Sequence, residues 1–232
     1  MLRHIRLLIL DLDYLVFNCA FLKVQALRQS LIALADLIPA SVQLPEAAET
    51  EAGFRRHGFR WIQNLEIGLD EQILGHLQQT YALHENRLVE SGKGGLYPGI
   101  EEFIMNWRGA GVAVAIGAEA TRDYMISVID RHQMDGLFQV TLCTEEFGTG
   151  DADEMMVEIM RQVEVNPSET LFLGTCPHTF QAAHGLDILT IGCGWGIQRP
   201  AGLSDADLQS LTIPDLSAAI EKADNLALQN SD

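Results

Sequence analysis

The stretch "LLILDLDYLVFN", residues 7–18, governs how the rest of the chain is read. Its first half is apolar without alternation, the pattern of a strand buried on both faces of a parallel sheet. The strand ends in two aspartates, Asp11 and Asp13, spaced i and i+2. In parallel sheets with crossover helices, ligands bind outside the carboxyl ends of the strands. Paired carboxylates at that place are therefore candidate catalytic groups. The structural alternative is that they cap a turn by accepting backbone amides.

Working outward, residues 20–38 carry Leu27, Leu31, Leu34 and Ile38 at helical spacing, and Pro39 ends the segment. Residues 45–65 and 70–90 read as further helices, and "GKGGLYPG", 92–99, is a loop. Beyond it the pattern alternates. A helix at 100–109 precedes a strand at 112–116, and Thr121 caps a helix to about residue 132. Then come strand 137–143, helix 153–163, strand 170–174, helix 178–185, strand 187–192 and a helical tail over 204–232. The expected fold is α/β: a Rossmann-like parallel core from 1–16 and 97–232, with an all-helical cap inserted at 17–96.

The 232 residues hold 32 Asp plus Glu against 15 Lys plus Arg, a formal charge of −17. Such a surface repels phosphate backbones and anionic membrane faces, so no nucleic-acid or membrane partner is expected. Four scattered cysteines without a C-x-x-C pair point to a reducing, cytoplasmic setting. The apolar run at the N-terminus is too short for a membrane span.

This order of elements resembles the haloacid dehalogenase (HAD) superfamily, in its phosphoglycolate-phosphatase-like branch. "LYPGIEEFIMNWRGAGVAVAI" is similar to the family's return into its core. The stretch from "DGLFQVTLC" through "VNPSETLFLGTCPHTFQAAHGLDILTIGCGWG" follows the branch's pattern closely. The resemblance implies Asp11 as the nucleophile of an aspartyl-phosphate reaction and Asp13 as acid and base, with Mg²⁺ at the pair. It also implies three further motifs, and here each is altered. Ile116 stands where a Ser or Thr hydroxyl is expected, Asp151 where a lysine is expected, and Thr175 and Thr179 where two metal-binding aspartates are expected. Tyr14 is bulky where family members turn tightly.

Phosphoryl transfer rests on positioning and on stabilising spread negative charge. Losing one such donor costs about 10²–10³ in rate. The expected function is therefore a catalytically degenerate HAD-like protein with a binding, scaffolding or regulatory role. The alternative is an active Mg²⁺-dependent phosphatase acting on a small phosphate ester. Weak Mg²⁺ binding at Asp11 and Asp13 is the cofactor expectation. Arg122 is the candidate substitute cation, ahead of Arg161 and Lys93. The partner is expected to be an unidentified protein, or a small ligand in the cap–core cleft. Within "GFRRHGFRW", 53–61, Arg56, Phe59, Arg60 and Trp61 are residue types that interfaces favour, and packing inside the cap is the other reading. Cys143, Cys176, Cys193 and His178 match no known zinc spacing and read as core residues.

Overall fold

The computed structural model describes residues 2–39, 46–57, 61, 69–148, 150–195 and 203–231. Six parallel strands form its sheet: β1 (Leu7–Asp11), β4 (Ala113–Ala118), β5 (Val140–Cys143), β6 (Thr170–Gly174), β7 (Leu189–Cys193) and β8 (Leu208–Ser210). Their order is β5-β4-β1-β6-β7-β8, which puts β1 near the middle with neighbours on both edges. Every residue of β1 is buried, as its unbroken apolar run requires.

The alternation of side chains along a strand builds two helix layers. On one face Leu8, Leu10, Ile116, Leu171 and Leu173 pack with α4 (Ile100–Gly109), α5 (Arg122–Arg131) and α8 (Ile213–Ser231). On the other, Leu7, Ile9 and Phe172 pack with α6 (Ala152–Val163) and α7 (Pro177–Gly185). Where a helix or two was expected over 204–232, the chain forms β8 and then α8. A strand of three residues is too short to show a periodicity of its own, and its pairing with β7 is what defines it.

Between β1 and α4 lie α1 (Ala20–Ala33), α2 (Ala47–His57) and α3 (Glu71–Glu90). The segment holding them is closed at its root by a short antiparallel pair, β2 (Phe17–Asn18) with β3 (Gly95–Leu96). α3 starts at Asp70, whose carboxylate accepts the Ile73 amide at 2.8 Å. The inward stripes of α1 and α3 each carry one charged residue. Lys23 shares a buried face with Leu27, Ser30 and Leu31, and Glu85 shares one with Leu77, Tyr81, Leu88 and Val89.

Candidate active site at the carboxyl end of the sheet

β1 delivers Asp11 at its last position, paired in register with Gly117 of β4. The chain then turns sharply. The Tyr14 amide donates to the Phe17 carbonyl at 2.9 Å, and Tyr14 adopts a left-handed backbone with φ of 62°. A bulky residue in that region is costly unless its surroundings hold it. Here Tyr14 is buried, and the Trp195 indole N–H donates to the carbonyl of neighbouring Leu15 at 3.0 Å. The turn expected to be tight is therefore made with Tyr14 in it, held by the loop that follows β7.

Asp11 is almost wholly buried. Burial raises its carboxyl well above the ordinary carboxylate range, and the nearby charges of Asp13 and Glu119 push in the same direction. Asp13 has two strong partners. The Lys23 ammonium lies 2.7 Å from its Oδ2, and the Tyr124 hydroxyl donates to its Oδ1 at 2.6 Å. Lys23 also donates to Glu85 Oε1 at 2.8 Å, and Tyr81 donates to that same oxygen at 2.6 Å. The Lys23 nitrogen sits between aromatic rings, 5.4 Å from the centroid of Phe54 and 5.0 Å from that of Tyr124. Burial alone would drive its proton off. The carboxylates of Asp13 and Glu85 outweigh burial, so Lys23 stays charged.

Among the described residues Lys23 is the cation bonded to Asp13, and this corrects the expectation for Arg122. The Arg122 guanidinium is exposed and bonded to Glu146, while its backbone amide donates to Glu145. Arg161 pairs with Glu158 on an exposed face of α6, and Lys93 is exposed in the loop after α3. Scanning near the motif positions misses Lys23 because its contact with Asp13 is tertiary. The signal available was a lysine on an apolar helical stripe, matched by an acid on the stripe of another helix.

The position of Ile116 is also corrected. The strand runs to Ala118, two residues past the expected end, so Ile116 lies inside the sheet opposite Leu10 and is fully buried. The residues at the strand end are Ala118 and Glu119, and Ala118 likewise offers no hydroxyl. Glu119 was missed for the same reason. Its carboxylate lies 3.1 Å from His178 Nδ1, near the start of α7. Asp151 sits at the N-cap of α6. Thr175 and Thr179 are buried, and the Thr179 hydroxyl donates to the Cys176 carbonyl at 2.9 Å.

A resident Mg²⁺ needs ionised oxygen ligands beside a substrate phosphate. Asp13 is bonded to Lys23, and Thr175 and Thr179, standing where two carboxylates are expected, supply no charge. This donor set fits the ion poorly. Among the described residues, no three His, Cys, Asp or Glu side chains converge as metal ligands. Burial pushes the Cys143 and Cys176 thiols up to about 12 and raises Cys193 as well, which makes them unreactive core thiols.

Of the four residues expected at a partner surface, Phe59 and Arg60 lie outside the described residues, as does the side chain of Arg56. Trp61 is half-buried. Its ring meets Phe54 edge-on at 5.1 Å and packs against the main core, and Phe54 in turn stacks on Tyr81 at 5.5 Å. A cleft of about 500 Å³, lined by Ser168, His184, Asp187 and Asp207 among others, lies at the amino ends of β6 and β7, away from Asp11. Among the described residues, no helix is long and apolar enough to cross a membrane.

An acidic pair at the end of a central parallel strand, with helices inserted directly after it, defines a class of protein. The haloacid dehalogenase-like hydrolase model matches residues 8–193. The chain belongs to that family. It is 24% identical over 159 residues to a phosphoglycolate phosphatase of Pseudomonas putida, an alignment that covers 68% of this chain and 56% of that enzyme. A haloacid dehalogenase-like protein of Streptococcus pneumoniae superimposes with a TM-score of 0.75 at 14% identity, covering 93% of this chain and 98% of that one. The β-phosphoglucomutase of Clostridium difficile gives 0.73 at 14% identity, covering 97% and 99%. At these identities the structural likenesses establish the fold alone.

Proposed function

We propose that this chain is a HAD-like protein whose phosphoryl-transfer site is degenerate and which acts by binding, as a scaffold or regulator, to a protein partner or a small ligand. The observation that carries this reading is the 2.7 Å contact between Lys23 and Asp13. An acid–base aspartate must give and take a proton at the substrate. Here one oxygen of Asp13 is held by a buried ammonium and the other by a tyrosine hydroxyl. Asp11, biased towards its protonated form, is a poor nucleophile. A phosphate dianion entering this region meets Asp13 and Glu119, and Lys23 is already bonded to Asp13 and Glu85. Buried thiols without a disulfide framework support a reducing, cytoplasmic setting.

The second reading, a Mg²⁺-dependent phosphatase using an aspartyl phosphate, is supported by the retained placement of Asp11 at the end of β1. A panel of small phosphate esters, phosphoglycolate included, assayed with excess Mg²⁺ separates the two. The expected outcome is no turnover above that of Asp11→Asn. A kcat above about 1 s⁻¹ that vanishes in Asp11→Asn establishes the phosphatase instead.

A further inference from the structure

The Lys23 cluster joins parts of the chain that no local interaction brings together. Asp13 belongs to the turn after β1 and Tyr124 to α5, both in the layer formed by the sheet and its own helices. Lys23, Phe54, Tyr81 and Glu85 belong to α1, α2 and α3 of the inserted segment. Within the insert, Lys23 bonds Glu85 and Glu85 accepts Tyr81. Within the core, Tyr124 bonds Asp13. Among the described residues one ion pair, Lys23 to Asp13, crosses between the two halves. The ring contacts divide in the same way, since Phe54 lies on the insert side of the ammonium and Tyr124 on the core side.

We propose that Lys23 is a latch, whose buried bond to Asp13 holds the inserted helices shut over the carboxyl end of the sheet. Lys23 and Glu85 expose about 3% and 1% of their side chains and Asp13 16%, so the ammonium and its insert-side partner are dry when closed. A buried ion deprived of its partner is strongly unfavourable. Removing Lys23 therefore leaves both Asp13 and Glu85 uncompensated in the closed form, whereas opening lets water reach them. The closed state is stable only while the ammonium is present. This rests on the geometry of the cluster and not on whether the site turns over phosphate, so a negative or a positive phosphatase assay leaves it standing.

The test measures opening directly in the full chain. All four native cysteines are buried, so spin labels go selectively to cysteines introduced at exposed positions. Ile32 on α1 and Val157 on α6 report on the insert against the core, while Val157 and Leu211 report on the core alone. Wild type is expected to give one narrow Ile32–Val157 distance. Lys23→Met is expected to move the open population from below roughly one in ten to a majority, seen as a second, longer distance, with the core pair unchanged. An unchanged narrow distance overturns the latch. So does equal broadening of both pairs, which is loss of the fold rather than opening. If Lys23→Met does not fold, Lys23→Met/Glu85→Gln neutralises the insert side and leaves Asp13 alone unpaired across the seam. A longer Ile32–Val157 distance in that folded variant supports the latch, and a wild-type distance overturns it.

Discussion

Asp11 shows how position and state can separate at a single residue. The apolar strand before it fixes where its side chain emerges, and burial beside Asp13 and Glu119 fixes its protonation. Its folded pKa is raised, so the sign is as follows. Above about pH 4, near the ordinary aspartate value, the unfolded chain gives up this proton while the folded chain keeps it. Stability therefore falls as pH rises from there towards the folded pKa. Asp11→Asn keeps the shape without the titration. It is expected to be more stable than wild type at pH 7 by about 1–3 kcal/mol, the scale of a poorly satisfied buried polar group. The gain should disappear below about pH 4. Urea unfolding at the two pH values measures it, and a variant less stable than wild type at pH 7 contradicts the assignment. Asp11 and Asp13 were legible as residues from their spacing. Lys23 was not, because its neighbours in sequence say helix and nothing in them says Asp13.

At the scale of elements, the strongly patterned pieces were legible. β6 matches the expected strand over 170–174, and α5 starts after Thr121, whose hydroxyl accepts the Tyr124 amide at 3.4 Å. β4 was underestimated at its end. "GA" after "VAVAI" carries little apolar signal, and it is pairing with β1 and β5 that keeps Gly117 and Ala118 in the sheet. Two strand glycines also mark close packing, and they should respond differently to a methyl group. A Cβ at Gly174 would meet the Phe172 ring at 2.5 Å and Phe180 at 3.3 Å, both rigid aromatics. One at Gly117 would meet the flexible end of Met155 at 2.9 Å. Gly174→Ala is expected to cost about 1–3 kcal/mol, as overpacking does, and Gly117→Ala less because a thioether can move aside. Thermal unfolding of the two variants should rank them in that order.

The whole molecule depends on contacts between distant parts of the chain. Asp224 on α8 is buried, and its carboxylate accepts the backbone amides of Arg3, His4 and Ile5 at 2.8, 2.8 and 2.7 Å. The last helix thereby fastens the segment that leads into β1. Burial pushes this carboxyl up, but the three amides outweigh it and hold the pKa below the ordinary range. The stability it contributes is present above about pH 4 and is lost as pH falls through the folded value. Asp224→Ala is expected to cost about 2–3 kcal/mol at pH 7, the loss of charge-assisted bonds with donors left behind, and much less near pH 2–3. Guanidinium melts of wild type and variant against pH check both the size and the direction.

The sequence by itself determined the α/β class, the buried central strand, the acidic pair at its end and the alternation of strands and helices that follows. Those features depend on apolar periodicity and on residues two to four apart, and local chemistry is enough to specify them. It also carried the resemblance to the family, through motifs in a fixed order. Only the tertiary structure decided the chemical state of the site. Lys23 meets Asp13 across the seam between the insert and the core, Glu119 meets His178 from different elements, and Trp61 turns towards Phe54. Each outcome depends on how charges and rings from separate elements share one desolvated space. In that space an ionised group is stable only beside its partner, and which partner arrives is fixed when the helices dock.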